Sequence, residues 1–337
     1  MGTFVARRLL QTLLIMFGLS IFFFVLLHLS PGGPCNSLQT VGATLSQQER
    51  YATCKSHLGL DKPIVVQYLK WAGSVSHGDF GQSIGEGRPV GSEILERLPA
   101  TLLLGGISYL IAEMIAIPLG IFAALRRYSF FDSLFTVFSY IGLSMPTFWL
   151  SGLMILLFAV GLGWLPAGGI VGDTAHIPTF NGPGYWAYFA HNPWHAGLDF
   201  LSHLALPASV LAIVSIANDS RFMRASMLEV INQDYIRTAR AKGLSRRSVV
   251  LKDALRNALL PIITNIAINL PGLISGAIIT ETIFGWPGMG RLFYTSLTQL
   301  DYPVLQALLM ISAVGVLVGN LLGDLTYAWV DPRIRYD

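Results

Sequence analysis

The chain alternates between long apolar stretches and short polar ones, and this pattern predicts helices that cross a membrane. A helix needs roughly 20 apolar residues to span the hydrocarbon core of a bilayer. The fourth stretch is the shortest and contains Pro207, so we expect it to extend from Phe200 onward or beyond Phe222. The predicted fold class is therefore all-α, a polytopic membrane protein with six transmembrane helices. The six stretches are residues 9–29, 98–125, 134–160, 204–217, 262–283 and 304–329.

Composition supports a membrane protein and excludes an ordinary soluble domain. Hydrophobic residues make up 53% of the chain and charged residues only 12%, with a formal net charge of +3. Average soluble domains carry about 25% charged residues. The basic residues lie beside apolar stretches instead of forming runs with interleaved aromatics, so we expect the lipid bilayer, and no nucleic acid, as a partner.

The distribution of basic residues predicts the orientation of the chain. Cytoplasmic loops of membrane proteins carry an excess of Lys and Arg. With the N-terminus inside, nine basic residues between Arg221 and Arg256 lie on the inner side, and the outer loop 161–203 has none. Both termini and the polar segment 234–261 are therefore predicted to lie in the cytoplasm, in a multi-pass membrane protein.

The segment 234–261, called the knuckle below, is polar and basic although it lies between apolar stretches. The upstream helix continues into it with apolar residues at helical spacing: Met227, Val230, Ile231 and Tyr235. That helix is predicted to end at Gly243, and Ser245 is predicted to cap a second helix. The second helix carries Val249, Val250, Ala254, Leu255 and Ala258. The exposed basic residues fit either a solvated inner loop or a docking surface for a partner protein.

The knuckle resembles the EAA loop of permease subunits in bacterial ABC importers. The resemblance rests on Arg237-Thr238-Ala239, Gly243 and Leu260-Pro261. The forms DYIRTARAKGL and ALRNALLP are similar to the peptide/nickel branch of that family, as are TETIFGWPGMGR at 280–291 and DPRIR at 331–335. Arg237 stands where the general motif has Glu, and the spacing from Gly243 to Leu260-Pro261 is longer than in that motif. Both departures are typical of the peptide branch.

The resemblance implies the type I ABC importer permease fold. Residues 1–97 would be an N-terminal transmembrane helix plus an extracytoplasmic segment, and residues 98–337 the core permease domain. Within that core, about 234–261 would hold the cytoplasmic coupling helix, which in the family seats in a cleft of the ATPase. The residues expected to couple to the ATPase are Asp234, Tyr235, Arg237, Thr238, Ala239, Arg240, Ala241, Lys242, Gly243 and Leu244.

The function that the resemblance implies is import of dipeptides or oligopeptides. The partners would be a second homologous permease subunit, two cytoplasmic ATPase subunits and an extracytoplasmic substrate-binding protein. Nickel chelates, glutathione or another small solute are alternative substrates. An ATPase-independent secondary transporter or channel is the alternative of another class.

No catalytic role is predicted for this chain. It has no G-x-x-x-x-G-K-[ST] phosphate loop, so ATP and Mg would be used by the partner ATPases and no cofactor would bind here. His191 and His195 are separated by Asn192-Pro193, which breaks a helix, so no metal site is expected.

Three further features are candidates for chemistry or conformational change. Glu113 lies near the centre of the second apolar stretch, where it is either a packing device or part of the substrate path with Asn265 and Asn269.

Cys35 and Cys54 are either free thiols or a disulfide on the outer side. Ser144-Met145-Pro146 predicts a kink, and the turn at 286–288 is a hinge, a re-entrant corner or a tight exit turn.

Overall fold

The computed structural model describes residues 2–29, 55–56, 59–172, 180, 184–269 and 272–330. The extended pairing within these residues is one isolated bridge between Gln82 and Pro89. Cys35, Cys54 and the motif at 331–335 lie outside the described residues, so the possible disulfide stays a prediction.

Helices with defined bounds are numbered here in chain order. A π-helical stretch at Ile155–Gly161 continues the helix Thr147–Met154, and another at Val249–Ala254 joins the helices Arg246–Ser248 and Leu255–Asn269. The helices are α1 (Gly2–Leu29), α2 (Ile64–Ser76), α3 (Val90–Leu125), α4 (Phe130–Ser144), α5 (Thr147–Met154), α6 (Tyr185–His191), α7 (Pro193–Ile231), α8 (Asp234–Ala241), α9 (Arg246–Ser248), α10 (Leu255–Asn269), α11 (Gly272–Ser275), α12 (Ile278–Ile283), α13 (Met289–Gln299) and α14 (Tyr302–Val330).

Four helices in the described part of the chain are long and apolar enough to cross a membrane. They comprise Arg7–Leu29 within α1, all of α3 and α7, and Tyr302–Leu321 within α14. The bent pair α4–α5 adds a fifth candidate if it is one span. The structure thus confirms a helical, multi-pass architecture, but the predicted count of six helices is not confirmed.

The fourth predicted span, the shortest of the six apolar stretches, is part of the longest helix among the described residues. Helix α7 runs for 39 residues and extends the apolar stretch on both sides, not on one side only. Pro207 lies inside it without ending it. A proline removes one backbone hydrogen bond, which a helix packed on neighbours tolerates more readily than an isolated one.

The predicted kink at Met145–Pro146 is confirmed. Helix α4 ends at Ser144 and α5 begins at Thr147, and the axes of the two helical segments differ by 103°. Pro146 has the extended conformation (φ −60°, ψ 135°) at the start of α5. Because proline disfavours a helical conformation at the preceding residue, Met145 is also extended and the chain turns sharply.

The fifth predicted span is broken, which corrects the expectation of one stretch from 262 to 283. Its residues are divided among the end of α10, the short helix α11 and helix α12. Gly276 lies between the last two with φ 76°, a left-handed conformation that ends helical continuity. Hydropathy averaged over a window does not detect such a backbone turn inside an apolar segment.

Helices α3 and α7 form the centre of the fold and pack against each other along their length. A methyl group added at Gly120 would lie 2.6 Å from Cβ of Met223, so this glycine permits the close approach. Helix α14 packs on α1, α10 and α11. By contrast, the candidate span in α1 is only 11% buried, which leaves apolar side chains such as Leu13 and Phe17 for the bilayer.

Candidate functional site

The knuckle forms two short helical segments separated by a tight turn. Helix α8 ends at Ala241, and Gly243 adopts φ 78°, the left-handed conformation that an L-residue rarely takes. Ser245 then caps the next helix, because its hydroxyl accepts a hydrogen bond of 3.3 Å from the backbone N–H of Ser248. The predicted helix end at Gly243 and the predicted cap at Ser245 are both confirmed.

The upstream boundary of the knuckle differs from the prediction. We expected one helix through Tyr235, but α7 ends at Ile231 and α8 begins at Asp234. The Asn232 side chain donates a hydrogen bond of 2.8 Å to the carbonyl of Leu228 and closes the last turn of α7. Helix α8 is therefore a separate element that begins after the membrane helix has ended.

One buried side chain holds α8 against the rest of the protein. Ile236 is fully buried, although every other residue of α8 is exposed or half-buried. It belongs to a core cluster that includes the predicted apolar residues of the second helix and residues of α7. The buried members are Ala124, Met223, Met227, Ile236, Val249, Val250, Ala254, Ala258 and Ile262. Sequence reasoning missed Ile236, whose apolar character within an otherwise polar helix was the available signal.

The residues predicted to couple to an ATPase lie mostly on the surface. Ala239 is half-buried and packs on the core cluster around Ile236. The others are exposed: Asp234, Tyr235, Arg237, Thr238, Arg240, Ala241, Lys242, Gly243 and Leu244. Arg246 and Arg247 are also exposed, so the surface around the turn is basic.

Side-chain contacts connect the knuckle to the end of a membrane helix and join neighbouring helices. The Arg246 guanidinium donates a hydrogen bond of 3.4 Å to the carbonyl of Leu125 at the end of α3. Nearby, Arg224 of α7 forms a two-pronged ion pair with Asp132 of α4, at 2.7 and 2.8 Å. These contacts link the knuckle to the end of α3, and α7 to the start of α4.

The predicted path residues lie in a polar cluster between three helices, which is buried at Glu113 and reaches the surface at Asn269. Glu113 of α3 is buried beside Asp219 of α7. The amide of Asn265 on α10 donates to Oδ1 of Asp219 at 3.1 Å, and the amide of Asn269 donates to Asn265 at 3.1 Å. The structure therefore brings Glu113, Asn265 and Asn269 together. Sequence reasoning missed Asp219, although an acidic residue close to an apolar stretch was visible.

A second buried acid organises the turn that follows the broken fifth span. Glu281 is 1% exposed and accepts hydrogen bonds from the Thr101 hydroxyl and from the backbone N–H groups of Ala277 and Arg291. Trp286 is fully buried, and its indole N–H donates to the carbonyl of Ala100 at 2.9 Å. We call residues 276–291 the corner. Its turn is internal and tightly bonded to α3.

Comparison with known proteins identifies the class. Residues 116–336 match the family described as binding-protein-dependent transport system inner membrane component. Residues 1–105 match the family described as the N-terminal part of binding-protein-dependent transport system membrane components. The chain belongs to this family: it is a permease subunit of an ABC importer, a non-catalytic, multi-pass component of the inner membrane.

Individual relatives match over nearly the whole chain. The oligopeptide transport system permease protein AppB of Bacillus subtilis is 43% identical over 100% of both chains. The dipeptide transport system permease protein DppB of Escherichia coli K12 is 39% identical over 99% of this chain and 98% of its own. The di/tripeptide transport system permease protein DppB of Pseudomonas aeruginosa is 38% identical over 100% of this chain and 99% of its own. The resemblance found in the sequence is thereby confirmed.

Proposed function

We propose that this chain is the permease subunit of an ATP-driven importer for dipeptides or oligopeptides, with both termini in the cytoplasm. It forms half of the translocation pathway, and a second homologous permease forms the other half. An extracytoplasmic binding protein delivers the substrate. Two cytoplasmic ATPase subunits supply the free energy by using ATP and Mg, so the chain itself binds no cofactor.

The peptide substrate is supported by the names of the relatives. The three described above are named for oligopeptides, dipeptides and di/tripeptides, and they match this chain from end to end. Matches of this length cover the pathway-forming helices as well as the knuckle. They favour peptides over nickel chelates, glutathione or another small solute.

One observation supports coupling to an ATPase. The basic helix α8 is exposed, and Ile236 is its single buried side chain. The exposed charged side chains of α8 can contact a partner, while Ile236 keeps the helix packed on the protein core. Because the knuckle also contacts α3 and α7, a partner that pushes on α8 transmits its displacement to the membrane helices. An inner loop without a partner would need no such anchoring.

The docking role is tested by reversing two exposed charges, Arg237→Glu and Arg240→Glu, in the assembled importer. Both side chains are exposed, so we expect the protein to insert and fold normally. Reversal of charges at an interface places like charges together or removes attraction, so recovery of the ATPases with the permease should fall about tenfold or more. Lys62→Glu, an exposed reversal in the outer segment, is the matched control and should leave recovery unchanged.

Transport itself is measured with the complete importer in proteoliposomes. We expect uptake of dipeptides to require ATP and the binding protein, and to be lost in the Arg237→Glu, Arg240→Glu variant. Normal uptake by that variant would refute the docking role. Uptake without ATP would favour a secondary transporter or channel, and uptake of a nickel chelate or glutathione but no peptide would refute the proposed substrate class.

A further inference from the structure

Two carboxyl groups face each other in the interior of the membrane domain. Glu113 lies 12 residues before the inner end of α3, and Asp219 lies 12 residues before the inner end of α7. Glu113 lies inside the apolar stretch 98–125, and Asp219 lies two residues beyond the apolar stretch 204–217. Glu113 is 8% exposed and Asp219 is 3% exposed. Both acids are therefore buried where an isolated charge is costly.

The Glu113 carboxyl lacks the hydrogen bonds that a buried acid normally has. In the described part of the chain neither of its oxygens forms a hydrogen bond of good geometry, although it lies beside Asp219 and the hydroxyl of Tyr109. Asp219 differs, because its Oδ1 accepts hydrogen bonds from the amides of Asn218 at 2.9 Å and Asn265 at 3.1 Å. Buried polar groups without partners are rare in folded proteins, so the Glu113 oxygens, whose neighbours are Asp219 and the Tyr109 hydroxyl, are available to a further partner.

The basic residues nearest along α7 are engaged elsewhere. The Arg221 guanidinium lies over the ring of Tyr140, 4.4 Å from its centroid, and Arg224 pairs with Asp132. The ion pairs resolved among the described residues include none to Glu113 or Asp219. Within those same residues no group of three metal-ligating side chains occurs. The acids are therefore arranged for a cation of low charge instead of a multivalent metal ion.

A chain of amides leads from the surface of the fold to these acids. Asn269 is exposed on α10, its amide donates to Asn265, and Asn265 donates to Asp219. A bare amide facing lipid tails would cost free energy because nothing there can bond to it. The face that carries Asn269 is thus suited to water or protein, and a cationic group could approach the acids along it.

We propose that Glu113 and Asp219 form a binding site for a single organic ammonium group, the free amino terminus of a transported peptide. This inference rests on the proposed peptide substrate and adds the two residues that recognise one end of it. An ammonium carries three donors and matches the free oxygens of Glu113 together with the carboxylate of Asp219. Both acids are buried in this structure, so Asn265 or Tyr109 must move before the site opens.

The test compares a dipeptide with its N-acetylated form in the complete importer in proteoliposomes. In Glu113→Gln, uptake of the free-amine peptide should fall about tenfold relative to wild type, while uptake of the acetylated peptide should not fall. The binding protein is the same in both importers, so its own preference cancels when the two variants are compared. Asp132→Asn, which alters a buried acid paired with Arg224, is the control and should change both peptides by the same factor.

A second measurement does not depend on flux. A hydrophobic carbodiimide labels protonated carboxyl groups in apolar surroundings, and labelling of Glu113 is quantified by mass spectrometry of the purified complex. We expect the free-amine peptide to reduce labelling several-fold and the acetylated peptide to leave it unchanged. Equal protection by both peptides, or labelling that neither peptide changes, including no labelling at all, would overturn the proposal.

The outcomes separate this inference from the proposed function. If wild-type importer takes up neither peptide, the proposed function fails. If it takes up peptide but Glu113→Gln alters both substrates equally, only the ammonium site fails. Replacement of sodium by potassium should have no effect; a sodium requirement that disappears in Glu113→Gln would assign the acids to a metal cation and overturn the proposal.

Discussion

The knuckle and the corner are the two regions whose sequences most resemble the peptide branch of ABC importer permeases, and they are built in opposite ways. In the knuckle, a polar helix is exposed and Ile236 is its buried anchor. In the corner, Glu281, Trp286 and Met289 are all buried, and the turn is hydrogen-bonded both within itself and to α3. The family-like motif therefore lies at the surface in the knuckle and in the protein interior in the corner.

The difference lies in where the polar groups find their partners. Hydrogen bonds from the corner itself and from Thr101 of α3 go to the buried carboxylate of Glu281, so this acid has its partners inside the protein. The charged groups of the knuckle have little to bond to within the chain; the ion pair between Arg237 and Asp234, at 3.5 Å, joins two exposed side chains. Such exposed pairs contribute little to stability, which leaves the groups available for a partner.

The largest loss of stability is expected from a substitution in the corner. Glu281→Ala leaves the Thr101 hydroxyl and the N–H groups of Ala277 and Arg291 without their acceptor. Since each unsatisfied buried group costs about 1–3 kcal/mol, the free energy of unfolding should fall by about 4 kcal/mol. Denaturant-induced unfolding of the detergent-solubilised protein measures this. Glu281→Gln keeps one acceptor oxygen and should cost roughly half as much; an unchanged transition in Glu281→Ala would contradict the role given to this acid.

A smaller and more local effect is expected at the anchor of the knuckle. Ile236→Ala removes buried methylene and methyl groups, a change that costs about 3 kcal/mol. We expect the knuckle to open locally before the protein unfolds, so amide hydrogen exchange in α8 should become roughly 100-fold faster while exchange in α3 stays the same. Leu244→Ala, at a position 48% exposed, is the matched control and should leave exchange unaltered. Faster exchange throughout the protein would show that the knuckle is not an independent unit.

The smallest effect concerns the turn of the knuckle. Gly243→Ala places a methyl group at φ 78°, and no atom lies within 4 Å of the new carbon. The cost is therefore conformational only, about 1 kcal/mol, and should speed exchange in α8 about fivefold. Gly152→Ala on α5 also meets no atom within 4 Å but has no positive φ, so it should be neutral or slightly stabilising. Equal effects of the two substitutions would contradict a turn that requires a left-handed residue.

Most of the membrane architecture could be predicted because hydropathy and charge are local properties of the chain. The first, second and sixth apolar stretches correspond to α1, α3 and α14, and the kink before Pro146 follows from the chemistry of proline. The turn at Gly243 and the cap at Ser245 could be read from residue types that favour these conformations. The division of the chain at residue 97 and the coupling role of the knuckle stay predictions.

Segment hydropathy, the kink at Pro146 and the family motifs could be read from the sequence, since each depends on neighbouring residues, but the end of α7 at Ile231 and the break at Gly276 could not. The three-dimensional packing was needed to see that Asp219 meets Glu113, that Ile236 anchors α8 and that Glu281 holds the corner. These contacts join residues far apart in the chain, and they exist because α3 and α7 pack closely through Gly120 and because the fifth apolar stretch breaks at Gly276. A periodic pattern indicates that a side chain is buried, but the packing of other helices determines what it is buried against.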